Sequence, residues 1–217
     1  MNQNLTLKSL LLVVTAAFGL AASARAAESP ATAPAAPAVV TADGLLGQTY
    51  AGLNYSYNRL DSSPVNANSY GFEYNQPLNP GFDALFNYDW AQSGVVAGDR
   101  AHEQNLTALL RAFSTTQSWG KPYVEAGIGY DWLRFAGTKD HSFEWIAGAG
   151  IEFQAAPALT ITPFVRYTRT NGYSDKNTVD YGVKANYWVT RQWAVTGALS
   201  RNDSQDMRYQ LGASFRF

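Results

Sequence analysis

The feature that most constrains this chain is an alternation of apolar and polar residues, which recurs from Gln48 to the C-terminus. In the final segment every second residue is apolar or aromatic: Met207, Tyr209, Leu211, Ala213, Phe215 and Phe217. The residues between them are polar or small: Arg208, Gln210, Gly212, Ser214 and Arg216. Because successive side chains of a strand point to opposite faces, this pattern predicts strands that have one apolar face and one polar face.

Turn-forming residues divide this region into ten predicted strands, at 48–60, 69–76, 81–91, 103–115, 121–133, 141–154, 159–170, 177–189, 191–201 and 207–217. Tight turns are expected at 76–81, 115–120, 155–158 and 190. Longer polar connections are expected at 61–68, 92–102, 134–140, 171–176 and 202–206. The alternation of short and long connections favours an all-β fold, a single antiparallel up-and-down β-barrel that spans a membrane. Ten strands are predicted, with eight as the alternative.

Aromatic residues distinguish a membrane barrel from a soluble, secreted all-β protein, which would carry the same periodicity with its faces exchanged. One predicted girdle lies toward the longer connections: Tyr57, Tyr70, Trp90, Trp132, Phe143, Trp145 and Tyr181. The other lies toward the tight turns: Tyr50, Tyr74, Phe82, Tyr123, Phe153, Tyr187, Trp193 and Phe217. Two bands of rings are typical of two membrane interfaces, so the membrane barrel is preferred.

The N-terminal region has the composition of an export signal. Lys8 supplies a positive charge, Leu10 to Leu20 form an apolar run, and Ala24-Arg25-Ala26 provides small residues for cleavage. Residues 1–26 are therefore predicted to be a signal peptide, and removing Lys8 and Arg25 leaves a net charge of about −3. Residues 27–47, rich in Pro and Ala, are predicted to be a periplasmic linker without a fold of its own, and residues 48–217 to be the barrel.

The polar strand faces carry charges of both signs together with many glycines, as expected for a crowded and strongly curved interior. The charges predicted to lie in the lumen are Glu73, Asp83, Asp89, Arg111, Glu125, Asp131, Glu144, Glu152, Arg166, Asp180, Lys184, Arg208 and Arg216. Opposite charges in a narrow lumen are expected to pair, with Arg111, Arg166 and Lys184 binding the acids, which would plug the barrel. The alternative is a narrow pore in which Glu125, Asp131, Glu144 and Glu152 favour cations.

Catalytic groups are sparse. The chain has no cysteine and two histidines, His102 and His141. Ser142 follows His141 directly, so the two side chains should point to opposite faces and cannot form a serine-type catalytic pair. His102 with Asp99 and Glu103 is at most a weak surface metal site, and a solvated loop is the preferred interpretation. We expect no enzymatic activity, no cofactor and no metal.

Three segments carry a resemblance to a known family: residues 162–167 (TPFVRY), residues 123–130 (YVEAGIGY) and the closing strand 209–217 with its terminal Phe217. Together they resemble the small outer-membrane β-barrel family of Gram-negative bacteria, with its OmpA/OmpX-like and porin-like members. The resemblance covers about residues 48–217. It implies an outer-membrane location and a barrel-assembly signal that includes Tyr209, Phe215 and Phe217. Many members of that family have eight strands.

These observations predict a non-enzymatic outer-membrane barrel with a structural or interaction role in the cell envelope. The expected partners are outer-membrane lipid and lipopolysaccharide, and the barrel-assembly machinery during biogenesis. No basic patch of the kind that nucleic acid requires is visible in the sequence. The protein is expected to be a monomer.

Overall fold

A computed structural model describes residues 44–61, 65–96, 98–115, 120–172 and 176–217. The predicted signal peptide and the first part of the predicted linker, up to residue 43, lie outside them. Across these ranges no helix is long and apolar enough to cross a membrane. The strands are β1 (Tyr50–Arg59), β2 (Ala67–Asn79), β3 (Phe82–Val96), β4 (Asp99–Phe113), β5 (Lys121–Phe135), β6 (Thr138–Ala156), β7 (Leu159–Gly172), β8 (Lys176–Trp188), β9 (Trp193–Asn202) and β10 (Met207–Arg216).

The ten strands form one closed antiparallel barrel in which each strand pairs with its neighbours in sequence. Closure is made by β1 and β10, whose register runs from Tyr50 opposite Arg216 to Arg59 opposite Met207. A closed ladder leaves no strand edge whose N–H and C=O groups lack partners. The predicted ten-stranded barrel is confirmed, and the eight-stranded alternative is excluded.

The main difference from the predicted boundaries lies in two long hairpins. Most of the predicted connection 92–102 is strand, because β3 continues to Val96 and β4 begins at Asp99. The predicted connection 134–140 is also wrong, since β5 and β6 join directly through Ala136 and Gly137. These two residues have φ values of 49° and 79°, which a two-residue hairpin turn of type I′ requires. These two segments were predicted to be loops because polar residues interrupt the apolar alternation there. A hairpin that extends beyond the membrane into water needs no apolar face, so its strands can continue without that pattern.

Apolar side chains cover the outside of the barrel and polar side chains fill the inside. On the outer face Leu53, Leu110 and Leu211 are 68%, 60% and 64% exposed. On the inner face Asn75 and Asp83 are fully buried. This is the reverse of a soluble barrel and matches a barrel that is surrounded by hydrocarbon. The soluble, secreted alternative therefore does not fit the structure.

The aromatic girdles follow the prediction except at two positions. Toward the longer connections, rings stack side by side on the outer face, with Tyr70 and Trp90 centroids 5.9 Å apart. Toward the tight turns, Phe215 packs edge-on against Phe217 at 5.1 Å. Tyr50 and Tyr123 were wrongly placed in the second girdle, because both are buried inside the barrel. Both tyrosines occupy the same alternate positions as the inward-facing polar residues of their strands. Position along the strand, and not aromatic character, therefore decides that they point inward.

The contrast between the two faces can be tested at adjacent positions of β10. Replacing Leu211, which faces outward, with Lys should destabilise the barrel by about 2–4 kcal/mol, because a cation then enters hydrocarbon. The matched variant Gln210→Lys, whose side chain faces the lumen, should cost less than about 1 kcal/mol. Urea unfolding of the barrel in lipid vesicles measures both values. An equal or larger cost at Gln210 would contradict the assignment of the faces.

Candidate functional site: the barrel lumen

The charged residues predicted for the lumen all lie at inward-facing positions of their strands. Along each strand these residues alternate with the exposed apolar residues. Across neighbouring strands they face each other, with Asp83 opposite Arg111 and Arg111 opposite Glu125. They come from strands all around the barrel: Glu73, Asp83, Asp89, Arg111, Glu125, Asp131, Glu144, Glu152, Arg166, Asp180, Lys184, Arg208 and Arg216. Glu103 belongs with them and was missed, although it shares the strand face of Asn105, Thr107 and Arg111. Parity along β4 would have found it.

Glu125 is the centre of the lumen's charge network. Arg111 donates from Nε and Nη2 to Glu125 Oε2 at 3.1 and 2.8 Å. Arg166 donates from Nε and Nη2 to Glu125 Oε1 at 3.0 and 2.7 Å. Each carboxylate oxygen thus accepts two hydrogen bonds from one guanidinium, and the Glu125 side chain is 3% exposed. Charge-assisted contacts of this kind hold three side chains in one geometry and join β4, β5 and β7.

Two further ion pairs cross the lumen between strands that are not neighbours. Lys184 on β8 donates to Glu73 on β2 at 2.9 Å, and Tyr50 Oη donates to the same carboxylate oxygen at 2.6 Å. Arg208 on β10 donates to Asp89 on β3 at 2.9 Å. The strands of the first pair are four steps apart around the barrel and those of the second are three steps apart, so both pairs project across part of the lumen.

The residues just before β1 turn into the barrel and occupy its interior at the tight-turn end. The backbone N–H groups of Leu45 and Leu46 donate to the Glu152 carboxylate at 2.8 and 3.2 Å. Gly47 N–H donates to Asp83 Oδ2 at 3.0 Å. The side chains of Leu45 and Leu46 are 4% and 3% exposed. We call residues 44–48 the N-terminal plug.

The plug corrects the end of the predicted linker. Residues 44–47 were expected to lie in an unstructured spacer, but they pack within the barrel because two carboxylates bind their backbone. Leu45 joins an apolar cluster with Leu85, Leu109, Ile146 and Trp188. This cluster explains why Ile146 departs from the polar pattern of β6, since its side chain packs inside the barrel near the plug. The two apolar leucines just before β1 were the sequence signal that this segment packs inside the barrel.

Glycines on the inner face make room for the longer side chains. A β-carbon at Gly150 would lie 2.5 Å from the hydroxyl oxygen of Tyr123, and one at Gly148 would lie 3.0 Å from Glu125 Oε1. Gly44 has a φ of +76°, and a β-carbon there would overlap the Glu152 carboxylate. A larger residue at these positions would displace the side chains that close the lumen.

Glu144 and Glu152 do not form the ion pairs with Arg111, Arg166 and Lys184 that the sequence predicted. Glu144 accepts hydrogen bonds from Asn105 Nδ2 at 2.9 Å and Thr170 Oγ1 at 3.5 Å. Asp131 is 2% exposed and lies opposite Asn105 in the register. Of the four acids considered for a cation path, Glu125 forms ion pairs with Arg111 and Arg166. The loop-side half of the lumen is therefore richer in acids than its centre.

A cavity of about 200 Å³ lies inside the barrel beside the plug. Its wall includes charges of both signs: Glu73, Arg111, Arg166, Asp180, Lys184 and Arg208. Leu45, Leu46 and Glu152 also line it. The plug thus borders this cavity and occupies the turn-side part of the lumen.

The two histidines are on the outer face. The His102 ring lies 6.0 Å from Trp90, and the His141 ring stacks on Tyr130 at 5.8 Å. Ser142 is buried on the inner face, on the side opposite to His141. Glu103 points inward on β4, away from His102. Within the described ranges no group of three or more potential metal-binding side chains comes together.

No family model matches the chain, and no curated protein matches it. Solved outer-membrane β-barrels resemble it. The NanC porin shares 11% identity with a TM-score of 0.48, over 77% of this chain and 100% of NanC. Neisserial surface protein A shares 14% with a TM-score of 0.47, over 78% and 97% of the two chains. Ail of Yersinia pestis shares 15% with a TM-score of 0.41, over 79% and 99%.

At this level of similarity no substrate, ligand or partner carries over from these proteins to this chain. The resemblance is one of overall β-barrel architecture. Function therefore has to be argued from the lumen and the surface of this barrel.

The central network can be tested by replacing Glu125 with Gln. Two arginines would then lie in the lumen without their shared anion, and we expect the barrel to lose about 3 kcal/mol of stability. Glu73→Gln is the matched control and should cost less, because the Glu73 side chain is 22% exposed whereas that of Glu125 is 3% exposed. Urea unfolding in vesicles measures both. If Glu125→Gln is no more destabilising than Glu73→Gln, the central role of Glu125 is refuted.

Proposed function

We propose that this protein is a non-enzymatic outer-membrane barrel with a structural or interaction role in the cell envelope and a lumen closed to solutes. The N-terminal plug carries the proposal: its backbone is bound by Glu152 and Asp83, and it lies inside the barrel. The Arg111–Glu125–Arg166 network supports it by holding three long side chains inside the lumen. A barrel of ten strands is narrow enough for side chains to fill much of its interior.

The chain's two barrel ends support one orientation. β1 begins and β10 ends at the tight-turn side, so a chain exported by a signal peptide would place these turns in the periplasm and the longer hairpins outside. We propose that Tyr209, Phe215 and Phe217, which share the outer face of β10, form the signal for barrel assembly. The OmpA/OmpX-like resemblance of the sequence is consistent with a monomer that contacts lipid and lipopolysaccharide.

Planar lipid bilayers provide the direct test of a closed lumen. The folded wild-type protein should give no discrete conductance steps in a salt solution, because the plug and the ion pairs block the path. Heat-modifiable gel migration must show that the protein in the bilayer is a folded barrel. Regular steps of constant size from the wild type would refute the closed-lumen proposal.

A narrow cation-preferring pore is the second candidate. It is favoured by the acids toward the longer hairpins, where Asp89, Glu103, Asp131 and Glu144 face inward. In a salt gradient such a pore would show a reversal potential that favours cations. Conductance without cation preference would exclude both the closed lumen and the cation-preferring pore.

The plug itself can be tested with Glu152→Ala. This substitution removes the acceptor for the Leu45 and Leu46 N–H groups, so the plug should leave its place part of the time and produce open events. Glu144→Ala is the matched control, since Glu144 also faces the lumen but bonds Asn105 and Thr170 instead. Single-channel recording should show open events only for Glu152→Ala. Equal behaviour of the two variants would mean that the plug does not close the lumen.

A further inference from the structure

The outer face of the barrel carries charge of only one sign. Among the described residues, no acid occupies an outward-facing strand position: the strand acids lie on the inward-facing side, with Asp99 and Asp140 exposed in the hairpin extensions, and the remaining acids lie in connections. The charged residues at outward-facing strand positions are all basic and all lie toward the longer hairpins: Arg59, Arg100, Arg134, Lys139, Arg169 and Arg201. We call these residues the basic rim. At the tight-turn side of the barrel, the described strands carry no outward-facing charged residue.

Two members of the rim face each other directly. Arg134 on β5 is the register partner of Lys139 on β6, and both side chains are exposed. Like charges at opposed positions of a strand pair repel and destabilise the pair. No acid among the described residues forms an ion pair with either one. The hairpin therefore presents two adjacent cations to whatever surrounds the barrel at this height.

A second pair of cations lies near the closure of the barrel. Met207 on β10 is the register partner of Arg59 on β1 and of Arg201 on β9. The two arginines thus flank one residue on the outer face, two strand spacings apart, or roughly 10 Å. Within the part of the chain that the structure describes, Arg201 donates to the neutral Gln205 at 3.2 Å and forms no ion pair. Asp206, in the connection between β9 and β10, accepts hydrogen bonds from Asp61 N–H and Asn202 Nδ2.

The position of the rim defines the chemistry of its partner. Aromatic girdle residues such as Trp132 and Tyr57 lie on the same face just nearer the barrel's middle, so the rim is at the level of lipid head groups. Outward-facing cations at that level meet the phosphates of the outer leaflet. Arginine forms charge-assisted, two-pronged hydrogen bonds with phosphate.

We propose that the basic rim binds the phosphate groups of lipopolysaccharide, with Arg134 and Lys139 forming one site and Arg59 and Arg201 a second. This inference rests on the proposed outer-membrane location, and it identifies the residues that contact the lipid. It requires nothing of the lumen, so it holds for a closed barrel and for a conducting one.

The experiment uses the folded full-length protein in neutral detergent micelles, titrated with bis-phosphorylated lipid A that carries a fluorescent acceptor. Energy transfer from the tryptophans reports binding. A cation near an anionic lipid surface contributes a factor of about five in affinity, so the double variant Arg134→Gln/Lys139→Gln should bind roughly twentyfold more weakly. Arg59→Gln/Arg201→Gln should show a similar loss, and it keeps the test valid if the first variant does not fold.

Arg191→Gln is the control, because Arg191 is exposed in the connection at the opposite end of the barrel. It should bind lipid A as the wild type does, and dephosphorylated lipid A should bind all variants equally. A similar loss for Arg191→Gln, or no loss for either double variant, would overturn the proposal. An equal loss of binding to phosphatidylglycerol would show general attraction to anionic lipid and would overturn the assignment to lipopolysaccharide. Bilayer conductance of the wild type tests the closed lumen separately.

Discussion

Closure of the hydrogen-bond ladder between β1 and β10 is the constraint on which the rest of this structure depends. Hydrocarbon offers no partner for a backbone N–H or C=O group, so a strand can enter it only when both of its edges are paired. Once the sheet is closed, every strand has one face toward lipid and one toward the lumen. The strict alternation of the sequence follows from this, and so do the exposed leucines outside and the buried carboxylates inside.

Closure also creates an interior that must be filled at an energetic cost. Charged side chains placed there lose water, and a pair recovers the loss only with close contacts and further hydrogen bonds. Glu125 meets this demand with four donors from two arginines, and Glu73 with Lys184 and Tyr50. Glu152 uses a different solution, since it accepts backbone N–H groups of the plug. The need of buried carboxylates for hydrogen-bond donors thus links the strands of the barrel to one another and also places the N-terminal plug in the lumen.

Turn signals and parity together were sufficient to predict the ten strands and the inward position of every charge assigned to the lumen, although Glu103 was left out of that set. It could not predict which charges meet, because contacts such as Arg208 with Asp89 join strands far apart in sequence and depend on the tilt and register of the closed barrel. Tyr50 and Tyr123 were misplaced when residue type was given more weight than parity. The plug was missed because Leu45 and Leu46 follow a Pro/Ala-rich segment, and no local pattern indicates that carboxylates on β3 and β6 bind their backbone.

The separation of charges between the two faces has a consequence for how the barrel is held in its membrane. No acid occupies an outward-facing position on the described strands, and the cations at such positions lie at one end, so the outer face has an apolar middle and a single basic edge. A displacement along the membrane normal would carry that edge either into hydrocarbon, where cations are costly, or away from the phosphates. The basic rim therefore opposes displacement in both directions, while the aromatic girdles allow each interface some tolerance. With the proposed binding of lipid phosphates, vertical position and lipid contact are set by the same side chains.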